Sequence, residues 1–153
     1  MTISHFSAGR IEPQVIAGFL RESAVAYPAE VGNPDLASWP EKLAANADVF
    51  CVARANGTLY AALFAYLNDT TTHLGYITFT CALPGCEKGT AYQLHNAFLT
   101  EARRRGMVKV RLEVVKTNAH AMGFYKRLGY VVIADHDDRN RWLMEMPVER
   151  AMS

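Results

Sequence analysis

The chain has 153 residues, of which 50% are hydrophobic and 20% are charged. Its 16 lysine and arginine residues against 15 aspartate and glutamate residues give a formal net charge of +1. These proportions exclude a disordered or low-complexity chain, and the balanced charge disfavours nucleic acid and anionic membranes as partners. The length predicts a single domain over residues 1–153.

The cysteines and the N-terminus indicate a cytoplasmic protein with reduced thiols. Cys51, Cys81 and Cys86 form no C-x-x-C pair, and no clustered histidines follow them, so they predict no metal site. The acidic run Asp135–Asp138 lies in a predicted hairpin turn, where aspartate favours the tight backbone geometry, and we expect no metal there either. The first residues lack the basic start and apolar run of a signal peptide, and no segment reaches the ~18 apolar residues of a membrane span.

The first predicted elements are helical. Pro13 is a favourable first-turn residue, and apolar side chains recur at helical spacing after it, which predicts a helix over residues 13–25. A loop rich in proline, glycine and asparagine is expected from Tyr27 to Pro34. Apolar residues at helical spacing then favour a second, short helix over residues 35–46.

Three strands are predicted next. Asn56-Gly57 is a strong hairpin signal, because both residues tolerate a positive φ, and it separates predicted strands at Val49–Ala53 and Leu59–Leu67. Residues 74–83 are rich in tyrosine, isoleucine, threonine and phenylalanine and favour a third strand.

The second half alternates strands and helices. The predicted elements are a helix from Gly89 to Arg105, a strand over 108–115, a helix from Asn118 to Leu128, and a closing pair of strands at Tyr130–Ala134 and Arg141–Val148. This order predicts the α/β (α+β) class, with a single mixed, mostly antiparallel sheet flanked by helices. Strands 74–83 and 108–115 are expected to be parallel neighbours across a right-handed crossover.

The turn before the long helix carries the first chemical signal. Residues 82–91 place Gly85 and Gly89 in a turn that opens a helix, where unpaired N–H groups and the positive end of the helix dipole favour phosphate or pyrophosphate. Lys88 adds a positive charge. The segment matches neither G-x-G-x-x-G nor G-x-x-x-x-G-K-[ST], so it supports neither a dinucleotide fold nor a P-loop.

A second segment, residues 118–130, adds a matching pattern. It contains Asn118, Ala121, Tyr125, Leu128, Gly129 and Tyr130 at the spacing N-x-x-A-x-x-x-Y-x-x-L-G-F/Y, and the preceding turn offers Cys86-x-x-Gly89-x-Ala91. Together the two segments resemble the GNAT superfamily of acyl-CoA-dependent N-acyltransferases, whose turn reads Q/R-x-x-G-x-G/A. The resemblance covers residues 48–148 in element order and is sharpest within 82–130.

The resemblance implies how acetyl-CoA, as cosubstrate and without a metal, would be bound. The parallel strands would splay around the acyl-CoA, with the backbone of Ala82 and Leu83 pairing with the pantetheine arm and Asn118 binding it. The turn would bind the pyrophosphate through Cys86, Glu87, Lys88, Gly89, Thr90 and Ala91.

The resemblance also implies direct acetyl transfer to a primary amine. Tyr125 would be the general acid, because a tyrosine pKa of ~10 lies above the ~8.5 of a thiol and keeps the proton available for the departing thiolate. The candidates for the base are Glu113, on the polar face of its strand, together with Glu30, Asp69 and His73. Water chains remain an alternative to a single base.

Two other readings stay open. Cys86 stands where the family has arginine or glutamine. This difference leaves open the alternative of a catalytically idle acyl-CoA-binding sensor or scaffold domain of the same fold. A small phosphate-ligand binding module outside the family is the third reading. The acceptor regions, residues 13–46 and 131–146, carry no readable pattern, so a metabolite amine, an amino sugar, an antibiotic or a protein N-terminus all fit. Homodimerisation through the last strands follows from the resemblance alone.

Overall fold

The computed structural model describes residues 1–148, so residues 149–153 of the predicted domain lie outside the described part of the chain. One seven-stranded mixed sheet has the order β1-β2-β3-β4-β5-β7-β6. Its strands are β1 (Ser4–Phe6), β2 (Asp48–Ala53), β3 (Leu59–Tyr66), β4 (Leu74–Ala82), β5 (Lys109–Val115), β6 (Val131–His136) and β7 (Arg141–Pro147). The helices are α1 (Pro13–Ala26), α2 (Pro28–Val31), α3 (Trp39–Asn46), α4 (Thr90–Arg104) and α5 (Ala119–Leu128), and a 3₁₀ turn spans Asp137–Arg139.

This architecture confirms the predicted fold class, and it differs from the predicted elements in four places. Strand β6 continues to His136, so Asp135 and His136 lie in the strand rather than in the predicted turn. The short strand β1 was not predicted, and the loop expected from Tyr27 to Pro34 contains the one-turn helix α2. The second helix begins at Trp39 rather than at residue 35. The side chain of Asp35 accepts hydrogen bonds from the backbone N–H groups of Ala37 and Ser38, which forms a turn ahead of the helix.

Two apolar clusters cover the two faces of the sheet. On one face α4 packs Leu94 and Phe98 against Val110 and Leu112 of the central strands. On the other face, α1 and α3 bury Ile16, Phe19, Leu20 and Leu43 against Val49, Ala62 and Phe64. The alternation of apolar residues along β5 follows from this, because successive side chains of a strand point to opposite faces.

The parallel pair β4–β5 is hydrogen-bonded over only part of its length. The register joins Leu74 to Lys109 and ends with Ile77 opposite Leu112, although both strands continue beyond that point. A bulge follows immediately in β4, because Phe64 of β3 lies opposite Phe79 and Ala65 lies opposite Ile77, which leaves Thr78 as the extra residue. Since a bulge bends its strand, β4 turns away from β5 here and the sheet opens.

A buried ion network joins β1 and β2 to the end of α4. Asp48, which is 2% exposed, accepts hydrogen bonds from both terminal nitrogens of Arg105, and His5 lies 2.6 Å from the same carboxylate. Glu101 accepts hydrogen bonds from Arg104 and Arg105. Within residues 1–148, His5, Asp48 and Glu101 are the group of ligand-type side chains close enough to share a cation. The two guanidinium groups already neutralise both carboxylates, which favours a structural role.

This network predicts an acid-sensitive stability. Hydrogen bonds from Arg104, and then from Arg105, lower the pKa of Glu101 from 4.5 to about 2 against the opposing effect of burial. A carboxylate whose folded-state pKa is depressed stabilises the protein above its unfolded-state pKa and loses that contribution as the pH falls towards the folded-state pKa. Urea unfolding is therefore expected to show a free energy of unfolding that falls between about pH 4.5 and pH 2.

The matched variants separate Glu101 from the other carboxylates. Glu101→Gln should lower the free energy of unfolding at neutral pH and make its decline over this acid range shallower. Glu41→Gln, at an exposed position on α3, should keep the wild-type slope. An unchanged slope in Glu101→Gln would contradict the assignment.

Candidate active site

The opening between β4 and β5 forms a cleft of about 460 Å³ that reaches both faces of the sheet. The N-terminal turn of α4 and one side of α5 bound it on one face, while α2 and the start of β7 bound it on the other. Among the residues that line it, those with polar or aromatic side chains are Tyr27, Glu30, Thr78, Phe79, Thr80, Glu113, Asn118, His120, Phe124, Tyr125 and Arg141.

The backbone of β4 presents one of its edges to the cleft. The N–H of Leu83 donates to the carbonyl of Tyr60 on β3, and the Leu83 side chain is 4% exposed within the core cluster under α1. Because N–H and C=O groups of successive residues point to opposite edges of a strand, Ala82 faces the cleft. Its carbonyl accepts a hydrogen bond of 2.8 Å from the Tyr27 hydroxyl. Of the two residues expected to contact pantetheine, only Ala82 lines the cleft.

The turn before α4 ends in a set of amides without acceptors. Gly89 has a φ of +88° and is followed by the first helical residue, Thr90, whose N–H and hydroxyl both bond the carbonyl of Glu87. Among residues 1–148, the backbone N–H groups of Glu87, Lys88, Gly89 and Ala91 donate to no backbone or side-chain acceptor. Unpaired amides at a helix N-terminus favour an anion. Ala91 of this turn lines the cleft.

Cys86 anchors this turn to β3. Its thiol lies 3.5 Å from the carbonyl of Tyr60, and its N–H donates to the carbonyl of Leu83. Burial raises the pKa of the Cys86 thiol, against a smaller lowering effect of Arg54, so the thiol stays protonated at neutral pH and can donate. Cys86, at the position predicted to differ from arginine or glutamine, thus contacts the neighbouring strand.

Asn118 occupies the N-cap of α5. Its side-chain oxygen accepts a hydrogen bond of 3.1 Å from the N–H of Ala121, which is the usual capping contact. The carbonyl of its side chain is therefore committed to the helix. Asn118 lines the cleft, and its side-chain NH₂ has no acceptor among residues 1–148.

Tyr125 lies on α5 beside the same opening. Its ring meets Tyr130 edge-on at 5.5 Å, and burial raises the pKa of its hydroxyl, against a smaller lowering effect of Thr80. Thr80 Oγ1 is buried and has no hydrogen-bond partner of good geometry among residues 1–148. A tyrosine with a raised pKa remains protonated at neutral pH, and it lies beside the buried hydroxyl of Thr80.

Behind Tyr125 lies a buried pair that sequence reasoning did not find. His95 Nε2 is 2.7 Å from the hydroxyl of Tyr130. Burial lowers the pKa of His95 to about 4, so the imidazole is neutral at pH 7. His95 is 35 residues away from Tyr130 in the chain, so no local spacing in the sequence indicates the pair.

Glu113 lies at the other end of the cleft, on the face covered by α1 and α2. Its Oε2 atom bonds both His136, at the end of β6, and Arg139, in the β6–β7 connection. Burial raises the pKa of this carboxyl, but the hydrogen bonds from Arg139 and His136 outweigh burial and leave the pKa lowered. Its second oxygen, Oε1, has no partner among residues 1–148 and remains free to bind a ligand.

The other candidate bases fall into two groups. Glu30 lines the cleft opposite β7. Asp69 does not line it, because its side chain accepts hydrogen bonds from the amides of Thr71 and Thr72 within its own turn. His73 ends the connection to β4 at a φ of +55° and lies outside the cleft as well.

The comparisons with known proteins agree with this geometry. The Acetyltransferase (GNAT) family matches residues 16–130. The chain therefore belongs to the GNAT family of acyl-CoA N-acetyltransferases. A search of curated protein sequences finds no match. Within residues 1–148, no helix is long and apolar enough to cross a membrane.

Solved structures share the fold over nearly the whole chain. Ard1 from Thermoplasma volcanium is 24% identical, with a TM-score of 0.68 over 96% of this chain and 98% of that chain. The PaiA N-acetyltransferase from Thermoplasma acidophilum, in complex with coenzyme A, is 17% identical, with a TM-score of 0.71 over 96% and 99%. The ribosomal-protein-S18-alanine N-acetyltransferase from Escherichia coli is 17% identical, with a TM-score of 0.68 over 96% and 94%.

The tight packing of the turn before α4 predicts a sensitive position. Gly85 has a φ of +97°, and a Cβ atom there would come within 2.3 Å of the Tyr60 hydroxyl. Arg54 stacks on the Tyr60 ring at 4.9 Å and restricts its retreat. Because the positive φ alone costs ~1–2 kcal/mol, Gly85→Ala should displace the turn and weaken acetyl-CoA binding by about tenfold or more in calorimetry.

Two further variants separate the steric clash from the backbone strain. Gly85→Ala combined with Tyr60→Phe removes the clashing oxygen and should recover part of the affinity. Gly9→Ala, at a φ of +85° with open space around it, should lower stability without changing the dissociation constant. If Gly85→Ala binds acetyl-CoA as the wild type does, the turn is not part of the cofactor site.

Proposed function

We propose that this protein transfers the acetyl group of acetyl-CoA directly to a primary amine, with Tyr125 as the general acid. The observation that carries the proposal is the cleft between β4 and β5, which has unpaired amides at one face, a carboxylate at the other and a protonated tyrosine beside it. A cofactor and an acceptor can thus enter from opposite faces of the sheet and meet in the opening.

The amides of Glu87, Lys88, Gly89 and Ala91 are the proposed pyrophosphate site, with the ammonium group of Lys88 as an added charge. Cys86 and Thr90 belong to this site as supports, because their polar groups are bonded to the backbone of the turn and of β3. The pantetheine arm would lie along the cleft edge of β4 at Ala82, within reach of the free side-chain NH₂ of Asn118.

In the proposed reaction the amine nitrogen attacks the thioester carbonyl, a C–N bond forms, and the C–S bond breaks. Tyr125 gives its proton to the departing thiolate, since its raised pKa keeps the hydroxyl protonated at neutral pH and able to donate as the C–S bond breaks. Backbone N–H groups on the cleft edge of β4, such as that of Ala82, would stabilise the developing oxyanion.

A bound alkyl ammonium must lose a proton before it attacks. We propose that the ammonium group binds to Oε1 of Glu113, which lines the cleft. The lowered pKa of Glu113 makes it a weak proton acceptor, so we propose that Glu113 holds the ammonium while a water molecule takes the proton. Glu30, which also lines the cleft, is a second carboxylate that such a water could bond.

A covalent acetyl-enzyme is not part of the proposal. Burial raises the pKa of Cys51 to about 11 and also raises the pKa of Cys81, which leaves both as protonated thiols in the core. The Cys86 thiol contacts the carbonyl of Tyr60 on β3 and is not among the residues that line the cleft. These positions support direct transfer.

Cytoplasmic localisation and a homodimer through the last strands stay predictions. β6 is the edge strand of the sheet and exposes Val131, Val132 and Ile133, which gives the dimer prediction a candidate surface.

The test of the proposal is Tyr125→Phe in an assay of amine-dependent thiol release from acetyl-CoA. General acid catalysis is worth ~100-fold or more, so kcat should fall by about that factor. The dissociation constant of acetyl-CoA should stay within about threefold, because the ring remains in place. Tyr66→Phe, a tyrosine packed under α1 and outside the cleft, is the matched control and should leave kcat unchanged.

Two outcomes would contradict the proposal. An unchanged kcat in Tyr125→Phe would remove Tyr125 as the acid. Tight acetyl-CoA binding by the wild type without thiol release for any primary amine would favour the alternative, an idle acyl-CoA-binding domain.

A further inference from the structure

We propose that the acceptor carries a carboxylate beside its amine and that Arg141 binds this carboxylate. The inference rests on the proposed acetyl transfer and names the class of acceptor for the same cleft, a small amino acid-like molecule. Arg141 lines the cleft, is half-buried and has no hydrogen-bond or ion-pair partner within residues 1–148.

The absence of a partner sets Arg141 apart from its neighbours. The cationic side chains on β5, directly after β5 and in the β6–β7 connection each contact a carboxylate within the protein. Lys109 and Arg111 pair with Glu145, Lys116 pairs with Asp135 and Asp137, and Arg139 pairs with Glu113. The local acidic groups thus pair with these four cations, and Arg141, the cation that borders the cleft, has no carboxylate partner among residues 1–148.

The register places Arg141 on the acceptor face of the sheet. Arg141 lies opposite Val115, and Leu143 lies opposite Glu113. Directly opposite residues of an antiparallel pair point to the same face, and residues two apart along a strand share a face. Arg141 and Glu113 are therefore on one face. The turn with the free amides lies on the other face, where α4 packs, so Arg141 is not a second contact for the pyrophosphate.

The charges around the opening are separated along this face. The Glu113 carboxylate is held by Arg139 and His136. Burial, and to a smaller extent Glu113, raise the pKa of nearby Tyr76 to about 12 against the lowering effects of Arg139 and Arg141. Arg141 and Glu113 therefore both lie close enough to Tyr76 to change its pKa. An acceptor with an ammonium group at Glu113 Oε1 and a carboxylate at Arg141 would neutralise both.

The chemistry of arginine favours a carboxylate for this role. A guanidinium presents a planar fork of N–H donors that matches the two oxygens of a carboxylate, and partial burial strengthens such a bond. The cleft of about 460 Å³ must also hold the pantetheine arm, which limits the acceptor to a small molecule or a short chain end.

The test compares matched acceptors. Thiol release is measured with acetyl-CoA and a panel of L-amino acids, each beside its carboxamide, which keeps the shape and removes the negative charge. Ethanolamine and O-phosphoethanolamine form a second pair, which distinguishes a phosphate from a carboxylate. The carboxamide amine has the lower pKa and more free base at neutral pH, so a preference for the acid opposes the intrinsic reactivity and must come from binding.

The wild type should favour at least one amino acid over its carboxamide by about tenfold or more in kcat/KM. Arg141→Gln should reduce this ratio to near one, mainly through KM of the acid, while the dissociation constant of acetyl-CoA, measured by calorimetry, changes little. Arg141→Lys should keep part of the ratio, because it keeps the charge but loses the fork. Arg111→Gln, on the same face but paired with Glu145, should keep the wild-type ratio.

Each other outcome overturns the inference. If amines are acetylated with equal preference for acid and carboxamide, or if the preference survives in Arg141→Gln, the acceptor class is wrong and the acetyl transfer stands. An Arg141-dependent preference for O-phosphoethanolamine would replace the carboxylate with a phosphate. If the wild type releases no thiol with any amine, the proposed function fails and the inference fails with it.

Discussion

The early end of hydrogen bonding between β4 and β5 is the constraint on which the rest of the structure depends. Beyond Ile77 and Leu112 the two strands no longer pair, and the bulge at Thr78 bends β4 away. The sheet is thereby left with unpaired backbone groups in its centre rather than at an edge. Buried backbone groups need partners, so this opening is a place where an extended ligand arm can complete the sheet.

The two faces of the sheet provide different unpaired groups around the opening. On the α4 face the turn is tied to β3 through Cys86 and Leu83, which leaves its next amides free. On the opposite face the β6–β7 connection is tied to β5 through Glu113, which leaves Arg141 free. In both places some polar groups fix the backbone by hydrogen bonds, and the neighbouring polar groups, the amides of the turn and Arg141, remain unpaired beside the cleft. Preorganised unpaired groups of this kind lower the cost of binding.

Much of this arrangement could be predicted from the sequence, because it depends on local spacing. Asn118 and Tyr125 lie on one short helix, and the glycines of the turn predict the start of α4. Leu83 was expected in the cleft and lies outside it, because the edge to which its N–H points depends on the pairing of β4 with β3, which local sequence does not specify. β1 was not predicted because three residues carry little periodicity, and its contact to Asp48 spans 43 residues. The lack of a partner for Arg141 depends on how distant carboxylates are shared, which only the fold reveals.

The central claim is that the opening between β4 and β5 is an acyl-CoA site, and a calorimetric titration of the purified protein with acetyl-CoA tests it most directly. ATP and 3′-dephospho-CoA are the comparison ligands, because ATP has phosphates without pantetheine and 3′-dephospho-CoA keeps both the pyrophosphate and the arm. The account predicts one site with micromolar affinity for acetyl-CoA, similar binding of 3′-dephospho-CoA, and much weaker binding of ATP. Equal binding of ATP and acetyl-CoA, or no binding of acetyl-CoA at millimolar concentration, would contradict it.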